Sequence, residues 1–223
     1  MPPPQPSPSG GEGVSADVYL EQSNIIQDYS SAKTLPPHLR GRVGVGGILD
    51  FLQSRVGKLD GVVITGGEPT LHKDLPEFIK EIKNLGFTVK LDTNGTNSDM
   101  LKDLIDGKLI DYVAMDIKSP IEKYSKIVCH PVNTENILKS IEIIINSGIE
   151  HEFRTTVVKS QLTYADFEKI GALIKSADKY YLQKFVPTKT LNKEFLTEST
   201  YSEEEFSEIV QFLTQSISCV ELR

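Results

Sequence analysis

The sequence predicts a partial α/β barrel of six strand–helix units, (βα)6, with helices outside and a mouth built by the carboxyl ends of the strands. Three observations predict it. Short apolar runs alternate with amphipathic segments from Ala16 onward. Each apolar run stops at or near Gly, Asp or Asn. No long linker interrupts the pattern after residue 40. Such alternation gives parallel strands joined by right-handed crossovers, and ligands of such folds bind at the carboxyl ends of the strands.

The elements follow in order. Residues 1–13, MPPPQPSPSGGEG, lack side chains that could build a core and read as a disordered leader, leaving 14–223 as one α/β domain. Strands are expected at 17–21, 61–65, 88–92, 112–116, 152–158 and 180–185, with a short closing strand at 218–222. Helices are expected at 46–56, 74–85, 98–106, 134–147, 163–176 and 202–214. In 74–85 the residues Leu75, Phe78, Ile79, Ile82 and Leu85 recur at helical spacing, Asp74 with Glu77 forms a capping-box start, and Gly86 supplies the stop. Ser202 and Glu205 repeat the box ahead of Phe206, Ile209, Val210 and Leu213.

The strand ends should then carry the chemistry. After 61–65 comes Gly66-Gly67-Glu68-Pro69-Thr70. Paired glycines let backbone approach a ligand closely, and Glu68 suits an ammonium group; a plain strand-to-helix turn fits the glycines equally well. Asp92-Thr93-Asn94-Gly95 makes a polar turn that can present oxygens to a ribose. Asp116 and Lys118 share a face, as a ligand site or as a structural ion pair. Arg154 shares a face with Thr156 and Val158 on a strand that reads as buried, so it needs a partner, and a ligand carboxylate fits its planar fork. Gln183 stands near the end of 180–185, able to donate and accept. Together these groups suit a zwitterion joined to a nucleoside.

Composition narrows the classes. The net charge is −7 without a dense basic block, which argues against a nucleic-acid partner. No apolar run approaches membrane-spanning length, and no signal peptide is present. The two cysteines, Cys129 and Cys219, lie far apart and give no disulfide framework, so a reducing cytoplasm is the expected compartment. Both cysteines read as packing or surface residues, and His72 and His151 as surface residues.

From Leu59 to Arg223 the chain resembles radical S-adenosylmethionine (SAM) proteins. The resemblance is carried by LDGVVITGGEPTLHKDLPEFIKEIKNLGF, VKLDTNGTN, IDYVAMDIKSPIEKY, FRTTVV and VELR. Within that group it is most similar to the activating proteins of anaerobic ribonucleoside-triphosphate reductase, relatives of pyruvate formate-lyase activating enzyme. The resemblance implies a partial TIM-like barrel of the radical SAM type and a SAM site. Gly66, Gly67 and Glu68 match the stretch that holds the methionine amino group. Asp92, Thr93 and Asn94 match the ribose and cation side. Asp116 and Lys118 match fourth-strand contacts, Arg154 a carboxylate or ribose contact, and Gln183 a further contact.

The same resemblance implies a [4Fe–4S] cluster on CxxxCxxC in a loop after the first strand, whose electron cleaves the sulfonium to a 5′-deoxyadenosyl radical. Here the segment after Val18–Gln22 reads Ser23-Asn24-Ile25-Ile26-Gln27-Asp28-Tyr29-Ser30. Asn24 and Tyr29 fall in register, and the cysteine positions hold Ser23, Gln27 and Ser30. Hydroxyl and amide oxygens are poor substitutes for thiolates at such a cluster. Three functions remain open. The first is installing a glycyl radical on an anaerobic ribonucleotide reductase or another glycyl-radical enzyme. The second is a cluster-free SAM-binding or partner-binding regulatory role, without catalytic residues. The third is a decayed or misassembled gene product.

Overall fold

The computed structural model describes residues 17–21, 33–34, 45–187 and 193–223. The leader 1–13 and the positions Ser23, Gln27 and Ser30 lie outside the described residues. The described elements are β1 (Asp17–Glu21), β2 (Lys33–Thr34), α1 (Val45–Gln53), β3 (Gly61–Thr65), α2 (Leu75–Asn84), β4 (Thr88–Thr93), α3 (Ser98–Asp106), β5 (Tyr112–Asp116), α4 (Tyr124–Ile127), α5 (Thr134–Asn146), β6 (Glu150–Val157), α6 (Tyr164–Leu173), β7 (Lys179–Lys184), α7 (Glu203–Leu213) and β8 (Cys219–Leu222).

One sheet runs in the order β2-β1-β3-β4-β5-β6-β7-β8. Strands β3 to β8 are parallel neighbours, each beside the next in sequence. That is the expected α/β architecture, and the sheet stays open because β2 and β8 are its two edges. Two features depart from the sequence expectation. Strand β1 lies antiparallel to β3, and β2, which the sequence pattern did not signal, lies antiparallel to β1. An antiparallel edge on a parallel sheet is common. Because β1 runs against β3, these two are not the parallel pair that a right-handed crossover joins. In consequence Glu21 pairs with Gly61, at the pole opposite the mouth, and Asp17 pairs with Thr65.

Strand alternation sorts the side chains. Val62, Ile64, Val89, Leu91, Val113, Met115, Phe153, Tyr180, Leu182 and Val220 join the helices' apolar faces in one core. Leu75, Phe78, Ile79 and Ile82 of α2 and Ile137, Ile141 and Ile144 of α5 come from those faces. The alternate residues face the other side, and many of them are polar, among them Lys90, Asp92, Asp116, Glu152 and Arg154, with Val63 and Ala114 as buried apolar exceptions.

Two capping signals met different fates. The Ser202 box forms: Ser202 Oγ accepts from Glu205 N at 3.3 Å, and Glu205 Oε2 accepts from Ser202 N at 2.9 Å. The Asp74–Glu77 box does not form, because Asp74 has ψ of 4° rather than an extended backbone and makes no side-chain cap bond. Pro76 also removes one of the N–H groups that such a cap would satisfy. His151, expected at the surface, is buried at 4% exposure because it falls on the helix-facing side of β6. Its Nδ1 stands 3.0 Å from Ile149 O.

Candidate functional site

The mouth begins at the turn after β3. Gly66 and Gly67 both take left-handed backbone, with φ of 90° and 53°, which favours glycine over residues with a Cβ. A Cβ on Gly67 would meet nothing within 4 Å, so the turn is open on that side. Glu68 is 9% exposed and points inward. Its Oε1 accepts from Thr70 N at 3.2 Å, from the Thr70 hydroxyl, and from Thr93 Oγ1 at 2.8 Å. Its Oε2 accepts from Asn94 N at 2.6 Å. Glu68 therefore clamps the β3 turn to the β4 turn, and most of its hydrogen-bonding capacity is used within the protein.

The β4 turn is held from several sides. Thr93 Oγ1 accepts from Gly95 N at 3.1 Å, and Asn94 Oδ1 accepts from Thr96 N at 2.9 Å. Gly95, at φ of 74°, presses against β5: a Cβ there would sit 2.1 Å from Met115 Cε. Ser140 Oγ of α5 donates to Gly95 O at 2.8 Å, and Asn97 Nδ2 donates to Thr70 O at 2.6 Å.

Next to these turns lies a charged cluster across three strands, β4, β5 and β6. Arg154 of β6 is 14% exposed on its side chain. Its Nε donates to Asp116 Oδ1 at 2.9 Å, and its Nη1 donates to Asp92 Oδ2 at 3.3 Å. The partner that a buried arginine requires is thus supplied by two carboxylates of the protein itself. Lys118 Nζ completes the row at 2.8 Å from Asp116 Oδ2. Burial opposes charge on Asp116, but Arg154 and Lys118 outweigh it and hold its pKa below the usual carboxylate range. Asp92 Oδ1 is buried and has no hydrogen-bond partner among the described residues, with Lys90 Nζ 3.9 Å away. Gln183 of β7 is half-buried, and its Oε1 accepts from Thr156 Oγ1 at 3.4 Å. Val158 lies just past the end of β6 and is buried.

The structure brings Glu68, Asp92, Thr93, Asn94, Asp116, Lys118 and Arg154 into two linked networks at one pole. It also adds residues the sequence reading passed over. Tyr124 of α4 accepts from Lys118 N at 3.3 Å and donates to Asp116 O at 3.4 Å. Burial pushes its phenol up to about 12, so it stays a donor. One pleat below the mouth lie Lys90, Tyr112, Glu152 and Arg223. The signal for Lys90 and Glu152 was present in the period-two pattern, since each stands two residues before a mouth residue, Asp92 and Arg154.

Burial lowers the Lys90 pKa to about 8, with Glu152 and Asp92 partly offsetting the effect. In the unfolded chain it titrates near 10.5. Between those values the unfolded state holds a proton that the folded state has lost, so rising pH favours folding there and falling pH through about 8 removes that gain. Urea unfolding from pH 7 to 10.5, compared with Lys90→Met, should show the wild-type advantage growing with pH. A flat difference would contradict the burial assigned to this amine.

Cys129 is exposed, with φ of 54°, and follows α4; Cys219 is in β8. No helix among the described residues is long and apolar enough to cross a membrane.

Comparison with known proteins agrees with this geometry. Residues 48–174 match the family model of the radical SAM superfamily. A protein of Methanocaldococcus jannaschii that carries the provisional name of a glycyl-radical enzyme activating enzyme is 35% identical over 218 residues, covering 94% of this chain and 89% of that protein. A second, similarly named protein of the same organism is 31% identical over 128 residues, covering 56% of this chain and 49% of its own length. Among solved structures, a domain of pyruvate-formate lyase-activating enzyme from Bacteroides vulgatus aligns with a TM-score of 0.56 at 20% identity, over 74% of this chain and 99% of that one. SuiB of Streptococcus suis bound to S-adenosylmethionine aligns at 0.64 with 12% identity, over 82% and 44%. The structural likenesses speak for the fold, and the sequence matches for descent: the chain belongs to the radical SAM superfamily, as a relative of the glycyl-radical enzyme activating enzymes.

Proposed function

We propose that this chain is a cluster-free relative of the activating enzymes that binds SAM at the mouth and engages a glycyl-radical enzyme, an anaerobic ribonucleotide reductase, as a regulatory partner. Superfamily membership implies both SAM and a [4Fe–4S] cluster, and the residues fit the two groups differently. For SAM, the open backbone at Gly66 and Gly67 would take the methionine amino group, and Asp92, with its unpartnered buried oxygen, would face a donor of the ligand. Lys118 and Arg154 would orient the carboxylate, and Asn94 and Gln183 would meet the ribose side. Glu68 and Thr93 hold the turns rather than the ligand.

The donor set does not fit the cluster, and this observation carries the proposal. The chain contains two cysteines, and the positions that match the cluster motif hold Ser23, Gln27 and Ser30. Three thiolates on one loop are the chemistry such a cluster requires, and Cys129 and Cys219 stand on separate elements. The second reading, an activator that installs a glycyl radical, is favoured by the 35% identity to the M. jannaschii protein over nearly the whole chain.

Anaerobic reconstitution with iron and sulfide, followed by iron analysis and calorimetry with SAM, separates them. The proposal expects bound iron near zero, no visible sulfur-to-iron band, and measurable SAM binding. Roughly four irons per chain, the content of a [4Fe–4S] cluster, together with reductive cleavage of SAM would establish the second reading instead.

A further inference from the structure

Beneath the mouth the same face of the sheet carries a second polar layer, centred on Glu152. Its side chain is 1% exposed. Oε1 stands 3.2 Å from Lys90 Nζ, 3.6 Å from Arg223 Nη1 and 3.7 Å from Arg154 Nη1, and Oε2 accepts from Tyr112 Oη at 3.1 Å. Arg223 is itself fixed by stacking on Tyr181, with its guanidinium carbon 3.3 Å from the ring centroid. The carboxylate is thus held by groups from β4 and β5 and by Arg223, just past β8. Among the described residues, Arg154 is its ion-pair neighbour in the mouth row.

The fold gives no reason for this layer. Buried ion networks commonly stabilise no better than apolar residues of the same volume. What it does supply is a fixed negative charge below Arg154. Asp116 takes the Nε edge of that guanidinium, and Asp92 Oδ2 and Glu152 Oε1 stand 3.3 and 3.7 Å from Nη1, both from the register row of Ala114, one pair below Asp116 and Arg154. Three carboxylates on three strands triangulate one planar group.

We propose that Glu152 is a positioning residue: it anchors Arg154 from below, so that the guanidinium keeps Asp92 and Asp116 in the arrangement that receives the ligand. The ligand part of this inference rests on the SAM reading above; the geometric part does not.

The test uses the full chain and Glu152→Gln, which keeps the volume and removes the charge. Nitrogen-15 NMR of the arginine side chains, with Arg154 identified by Arg154→Lys, reports hydrogen exchange at Arg154 Nε. Exchange should be slow in the wild type and about tenfold or more faster in Glu152→Gln, while SAM affinity by calorimetry falls about tenfold, the lower scale for loss of a partner behind a ligand-binding group. On an Arg154→Lys background, Glu152→Gln should change affinity by less than about twofold, since its route to the ligand is already gone. Tyr112→Phe, which removes one donor to Glu152 at little change of volume, should move both readouts the same way by smaller amounts and serves if Glu152→Gln does not fold. Unchanged Arg154 exchange, or faster exchange with unchanged SAM affinity, overturns the proposal. Failure of the wild type to bind SAM removes the SAM reading instead, and Arg154 exchange then decides the anchoring by itself.

Discussion

Replacing Glu68 with alanine should lower folding stability by about 4 kcal/mol, the sum expected when one buried, charged acceptor serving several donors is lost. The carboxylate accepts from Thr70 N, the Thr70 hydroxyl, Thr93 Oγ1 and Asn94 N. Thr70 and Thr93 are buried, at 0% and 4% exposure, so water cannot readily take over the vacated bonds. Hydrogen bonds to a charged group are worth about 1.5–3 kcal/mol each, but those sharing one carboxylate do not add fully. Glu68→Gln should cost about half as much, because its amide oxygen still accepts while its NH2 opposes a donor. Denaturant unfolding at constant m-value measures both. A loss under about 1 kcal/mol for the alanine variant would mean that the two turns hold without the clamp. The same variant should abolish SAM binding, because the backbone of Gly66 and Gly67 is placed by this clamp.

Arg154→Ala should also cost about 4 kcal/mol, since removing one partner from a buried ion network strands the others. Asp116 would keep Lys118, and Glu152 would keep Lys90, Tyr112 and Arg223, so the group left shortest of partners is Asp92, whose Oδ1 is buried without a hydrogen-bond partner among the described residues. Lys118→Ala provides the contrast. Lys118 meets Asp116 at a site where its side chain is 37% exposed. Its removal should change stability by no more than about 1 kcal/mol, as for other solvent-screened pairs. Both should weaken SAM binding, each by about 1.5–3 kcal/mol if it meets the ligand carboxylate directly. Thermal and denaturant unfolding beside calorimetry separates the two effects. An Arg154→Ala protein as stable as the wild type would show that the carboxylates need no shared cation.

The strand and helix order was legible because burial on the helix side and polarity on the mouth side leave a period-two pattern in each strand. The strands at 17–21, 61–65 and 112–116 and the helix at 98–106 coincide with the structure, and the other elements shift at one or both ends by one to three residues. The direction of β1 was not legible. A five-residue run has no sign that says which way it pairs, and its antiparallel pairing with β2 and β3 shows only in the sheet. The Asp74 cap was misread for a related reason: the residue types were right, but the backbone at Asp74 is not extended.

By itself the sequence determined the identity of the groups at the ends of the parallel strands, and that the chain holds two cysteines. Those are facts of residue type, and the shared direction of β3 to β7 carries the strand-end groups to one pole. Which of those groups face a ligand and which face one another was decided only by tertiary structure. Arg154, Asp92, Asp116 and Glu152 come from three strands, and the ion pairs across those strands depend on register and depth in the sheet, neither of which a single strand encodes.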